Sequence, residues 1–168
     1  STVAASVTGT DVAFENVEVD GADDTNVINV GSGLNTFSIT DSAVRVSDPG
    51  KTDPYGIETK TTLLAENVAF SGEDQANEAF GVRTRLGADD HRIIDSTFDD
   101  LDVGVQTQGA DNTTFENNDF TNISDEGVYV VARTAGSDKV DIASNTFTNT
   151  GSGGFAAISL ENNGGSVG

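Results

Sequence analysis

One sentence plan recurs along this chain. The stretch "FENNDFTNISDEGVYV", residues 115–130, is echoed by "IASNTFTNTGSGGFAAIS", residues 142–159, with different residues in nearly every slot. Taking Phe120 and Phe147 as anchors and walking backwards, the same slot holds Phe98, Phe70, Val44 and Val19, in steps of about 22 to 28 residues. Five positions before each anchor stand Phe14, Ile39, Ala65, Ile93, Phe115 and Ile142; seven before stand Val12, Phe37, Leu63, His91, Thr113 and Val140. A unit this short has too little apolar surface to fold alone. It buries a core only by stacking on its neighbours.

The apolar slots alternate with mostly polar ones, as in short strands with one buried face. Three positions before each anchor the row reads Asn16, Asp41, Asn67, Asp95, Asn117 and Ser144. Asn and Asp tolerate the left-handed backbone region, so a stacked line of them predicts a sharp bend between strands. A second register follows in "YGIETKT", "FGVRTRL", "VGVQTQG" and "EGVYVVA", with Gly56, Gly81, Gly104 and Gly127 expected to supply a turn before each strand. A third, "GADD", "GADN" and "GSDK", closes the circuit with a Gly-Asp turn. The expected fold is all-β: a single domain over residues 1–168, a solenoid of about six coils with three short strands per coil. Coils begin near residues 12, 37, 63, 91, 113 and 140, and the longest rim loop is 47–56. Stacked at about 4.8 Å they make a column roughly 29 Å tall. A β-sandwich also has many short strands, but it would not keep six buried rows in phase.

These rows, and "FENNDFTNISDEGVYV" above all, resemble the right-handed single-stranded parallel β-helix of the pectate-lyase-like superfamily, with its asparagine ladder and aliphatic stacks. The resemblance runs from about Val12 to Leu160. It is one of fold and imports no active site, because this architecture serves lyases, hydrolases, epimerases, adhesins and structural proteins alike.

Charge narrows the functional classes. With 28 Asp and Glu against 8 Lys and Arg, the formal net charge is -20, which repels nucleic acid and anionic membranes. Such a surface suits high salt, where screening removes self-repulsion, or the collection of divalent cations. The chain has no Cys, so neither a disulfide frame nor a thiolate metal site is available. No apolar run is long enough for membrane insertion. The small, uncharged opening "STVAASVTG" reads as that of a processed, secreted product.

Strand alternation sends Ile57, Val82, Val105 and Val128 inward, with Thr59, Thr84, Thr107 and Val130 behind them. The outward rows are then Glu58, Arg83, Gln106 and Tyr129, and beside them Lys60, Arg85, Gln108 and Val131. Three of the eight basic residues converge on this face. The resemblance implies Lys60 or Arg83 as base on an acidic sugar, with Arg85 neutralising its carboxylate and Tyr129 offering a stacking ring. The ligand-binding set is accordingly Glu58, Lys60, Arg83, Arg85, Gln106, Gln108 and Tyr129. The simpler reading is a set of cross-strand ion pairs, Glu58 with Arg83, relieving charge on an acidic column.

Asp89, Asp111 and Asp138 share a slot after the turn Gly, and stacked carboxylates repel by roughly 1 kcal/mol per pair in water. Calcium is the specific candidate there, with Asp99, Asp100, Asp102, Asp23 and Asp24 as further ligands, and concentrated salt is the plainer screen. His91, the sole histidine, is expected to be a hydrogen-bonded residue at a strand entry and not a metal ligand. "NTT" at Asn112 and "NIS" at Asn122 match the N-glycosylation acceptor. Two functions remain open. The first is a non-catalytic extracellular module of an acidic, halophilic or marine organism, self-associating through open ends around Val3 to Val7 and Phe155 to Leu160 as filament, surface layer, matrix or adhesin. The alternative is a polysaccharide-binding protein, or a lyase or epimerase acting on an acidic polysaccharide.

Overall fold

The computed structural model describes residues 3–7, 9–21, 26–47, 54–72, 79–85, 89–109, 111–132, 137–162 and 166–167. Its regular structure is all strand. The first coil runs through β1 (Val3–Val7), β2 (Asp11–Glu15) and β3 (Glu18–Asp20), the second through β4 (Asn26–Val30) and β5 (Thr36–Val46). The third holds β6 (Tyr55–Thr59) and β7 (Thr62–Gly72), the fourth β8 (Phe80–Thr84), β9 (Arg92–Ile94) and β10 (Thr97–Asp99). The fifth holds β11 (Val103–Gln108), β12 (Thr113–Glu116) and β13 (Asp119–Thr121). The sixth holds β14 (Val128–Ala132), β15 (Ser137–Asp138), β16 (Val140–Ala143) and β17 (Thr146–Thr148), and β18 (Ile158–Asn162) and β19 (Ser166–Val167) follow.

Strands at equivalent places in successive coils pair in parallel. The first sheet has seven strands in the order β1-β4-β6-β8-β11-β14-β18. The second carries two strands per coil, fused into single 11-residue strands in β5 and β7. The chain is thus a parallel β-solenoid of about six coils.

The expected columns stand as read. Val19 pairs with Val44, Val44 with Phe70, Phe70 with Phe98, Phe98 with Phe120 and Phe120 with Phe147. The last four rings stack face to face, with centroids 4.8, 4.7 and 4.9 Å apart. Phe14, Ile39, Ala65, Ile93, Phe115 and Ile142 form the neighbouring column. The polar row is the bend: Asn16, Asp41, Asn67, Asp95, Asn117 and Ser144 all have φ between 48° and 56°. Short polar side chains tolerate that conformation where branched ones do not.

A ladder inside the core lies one residue further on. Asn118 Oδ1 accepts the Ser96 N–H at 2.9 Å, and Asn145 Oδ1 accepts the Asn118 N–H at 2.8 Å. Their side-chain amides donate to Ile93 O and Phe115 O, both at 2.9 Å. In the earlier coils serine takes this place: Ser42 Oγ accepts the Val17 N–H, and Ser96 Oγ the Val68 N–H. Backbone groups at the bend are therefore satisfied without water.

The stacked glycines depart from expectation. Gly56, Gly81, Gly104 and Gly127 were expected to supply turns, yet none has positive φ. Their role is close approach. A Cβ at Gly104 would lie 2.6 Å from Phe120 Cδ1, and one at Gly127 2.7 Å from Phe147 Cδ1. The glycine column is the floor on which the phenylalanine column rests.

Candidate functional site

The outward row of the first sheet is in register: Glu58 faces Arg83, Arg83 faces Gln106, and Gln106 faces Tyr129. The inward partners Ile57, Val82, Val105 and Val128 are fully buried. The second row changes character along the stack. Lys60 is exposed and Arg85 half-buried, whereas Gln108 and Val131 are buried, so the outward face expected there ends after two coils.

The ion pair forms on a diagonal. Glu58 was expected to meet Arg83, but its Oε1 accepts from Arg85 Nε and its Oε2 from Asn26 Nδ2 at 3.0 Å. Arg83 instead turns onto Tyr55, its guanidinium carbon 4.8 Å from the ring centroid and Nη1 donating to the phenol oxygen. The Tyr55 ring leans on Phe80 at 5.0 Å between centroids. A guanidinium over an aromatic face is held by the ring quadrupole, which fixes Arg83 along the sheet. Tyr129 is likewise engaged, its hydroxyl donating to Glu161, and Gln108 donates to Gln106 at 3.2 Å. Lys60 and Arg85, with Glu58, Asn29, Gly31 and Ser32, line an open pocket of about 330 Å³. Two cations and one carboxylate there can hold an anionic group.

A group of carboxylates, of which the sequence singled out only Asp102, lies where the fifth and sixth coils enter the first sheet. Asp102 and Glu126 are buried, and Asp125 sits one coil beyond Asp102, its N–H donating to Asp102 O at 2.9 Å. Ser124 Oγ donates to the Asp102 carboxylate. Burial pushes the Asp125 carboxyl above its ordinary range, and the Asp102 charge adds to this. Burial also raises Glu126, with Asp125 adding repulsion and the Ser159 hydroxyl opposing it. Each residue stands in the slot just before a glycine strand, "LDVG" and "SDEG", a signal visible only once the coils are aligned.

The proposed calcium corner is partly described. The Asp111 N–H donates to Asp89 Oδ1 at 3.3 Å, while for Asp138 the structure describes only the backbone pairing of β15 with β19. Asp23 and Asp24 lie outside the described residues, as do residues 48–53 of the rim loop. Among the described residues no three His, Cys, Asp or Glu side chains come together as a metal set. His91 is buried, and its Nδ1 accepts the Leu63 N–H at 3.0 Å. The acceptor asparagines belong to outward ladders: Asn112 donates to Asp90 and Asn122 to Asp99, both at 3.2 Å.

Stacked parallel strands, left-handed polar corners and an internal amide ladder define a parallel β-solenoid. The chain belongs to the right-handed β-helix family, whose model, described as a right handed beta helix region, matches residues 4–167. No curated protein and no solved structure matches it.

Proposed function

We propose that this chain is a non-catalytic extracellular β-helix module that self-associates through its ends, in the salt-rich surroundings its charge of -20 suits. The observation that carries this reading is where apolar surface lies. Inner core residues such as Phe98, Phe120 and Val105 are fully buried, whereas Phe155 is 53%, Ile158 38% and Leu160 60% exposed at the last coil. Val12, Phe14, Val17 and Val19 of the first coil are only partly covered. An open edge of this kind is completed by another strand. Filament, surface layer, matrix and adhesin are the roles such stacking serves. The basic residues of the sheet face support a structural part, since Arg83 is committed to Tyr55 and Arg85 to Glu58. Light scattering from dilute buffer to molar NaCl, with electron microscopy of the same samples, tests it. Concentration-dependent growth is expected, and a monomer under every condition refutes the reading.

A second reading is favoured by the Lys60–Arg85 pocket: binding, or lyase or epimerase turnover, of an acidic polysaccharide. Alginate or pectate turnover, followed by absorbance of the unsaturated product, tests it. Activity lost on Arg83→Ala or Arg85→Ala would place this reading first.

A further inference from the structure

The two sheets differ in height by one strand. Among the described residues the first has seven strands, the second the six levels of β2, β5, β7, β9, β12 and β16, and β19 lies on β15 at the level of β18. When one copy sits squarely on another, β18 of the first and β1 of the second claim the same level. We infer that β18 of one copy takes the place of β1 in the next, so that β16 and β17 pair in register with β2 and β3. This rests on the end-stacking reading above and specifies its seam.

Register supports the exchange. On β14, Ile158 follows Val128 and Leu160 follows Val130. Those columns run back to Ile28 and Val30 on β4, where β1 sets Ala5 and Val7 at the same positions. In the place of β1, β18 brings Ile and Leu to positions that otherwise hold Ala and Val. Exposed Ile158 and Leu160 are then covered by Ile28 and Val30 of the next copy.

The second sheet continues equally well. Val140, Ile142 and Phe147 of the sixth coil and Val12, Phe14 and Val19 of the first are the partly buried ends of the same three columns. Charge fixes the register. Residues 3–21 hold no cation and carry Asp11, Glu15, Glu18 and Asp20, while among residues 137–162 the one cation is Lys139. In register, Asp11 joins Asp141 of the other copy on Lys139, whose Nζ lies 2.9 Å from that Asp141, and Glu15, Glu18 and Asp20 meet Ala143, Thr146 and Thr148. A slip of two residues sets Asp141 against Asp11 or Glu15, carboxylate on carboxylate. A slip of one turns every apolar residue outward.

The chain has no cysteine, which permits a direct test. Ala13→Cys with Asp141→Cys places two thiols one strand apart across the seam, about 4.8 Å and within disulfide reach. Inside one copy they are five strand steps apart, about 24 Å, and cannot join. Oxidation is expected to give a ladder of covalent oligomers, and Glu15→Cys with Asp141→Cys to give none. Deletion of residues 1–8 is expected to lower the concentration for assembly several-fold. Lys139→Glu raises it several-fold, and adding Asp11→Lys restores it. Assembly with no ladder from the 13/141 pair overturns the register and leaves end-stacking intact. Assembly unchanged by the deletion overturns the strand exchange alone. A chain that stays monomeric throughout overturns both this seam and the reading beneath it.

Discussion

Phe120 lies face to face with Phe98, their centroids 4.7 Å apart and their planes within 8°. Each ring also packs against a glycine of the first sheet, Phe98 on Gly81 and Phe120 on Gly104, so one residue ties two sheets and two coils together. Phe120→Ala is expected to cost about 3–5 kcal/mol, the range for removing a buried aromatic ring. Urea denaturation of the purified chain measures it.

Gly104 and Phe120 are expected to be coupled. Gly104→Ala forces a methyl against the Gly127 carbonyl oxygen at 2.5 Å and the Phe120 ring at 2.6 Å, and should destabilise by about 1–3 kcal/mol. Adding Phe120→Leu relieves the ring contact and leaves the carbonyl one, so the double variant should lose only somewhat less than the two single losses combined. A double-mutant cycle on the same denaturation curves reads this directly.

Asn118 is fully buried, and its side chain bonds to groups of two neighbouring coils. Asn118→Ala leaves the Ser96 N–H and Ile93 O without their partner inside the stack, at an expected cost of about 2–5 kcal/mol. Amide hydrogen exchange should show Ser96 losing protection before strands elsewhere do.

Stability should rise as the solution is acidified through the weak-acid range, before general acid unfolding. Asp125 and Glu126 are raised in the fold above their ordinary values of 3.8 and 4.5, so the folded chain takes up their protons first. Their contribution is unfavourable above the folded pKa values and relaxes as pH falls through them toward the ordinary range. Asp125→Asn and Glu126→Gln are expected to raise the melting temperature at neutral pH and to flatten its slope with pH. Unchanged melting in both variants would remove the effect.

Sodium chloride should raise the melting temperature, because 28 carboxylates face 8 basic groups and salt screens their repulsion. EDTA is expected to leave it unchanged, since the Asp89 carboxylate already accepts the Asp111 amide. A calcium-specific rise at constant ionic strength would make the Asp89–Asp111 corner a metal site.

The columns were legible because apolar identity is a property of each slot, and six aligned copies reveal it even where Ala65 replaces a larger residue. The left-handed corners were legible because Asn16, Asp41 and Asn67 share a chemistry found at few other backbone positions. The resemblance implied an asparagine ladder, but the row that carries the buried one escaped because it mixes Val17, Ser42, Val68, Ser96, Asn118 and Asn145. It is unified by a backbone donor that no side chain announces. The glycine column was visible as a row and misread in purpose, since the Phe98 and Phe120 rings that require it come from another strand. At the candidate site, alignment gave the Glu58–Arg83 register, but side-chain reach decided that Glu58 would take Arg85 and Arg83 would lie on Tyr55.

The bends at Asp41, Asn67, Asp95 and Asn117 share one backbone geometry whatever the length of chain between them. Every storey therefore turns the same corner there, and the number of storeys is not fixed by any of them. A gene for such a chain can gain or lose one whole circuit between matching bends and still encode a sound tower, so height is free to vary by duplication while width is not.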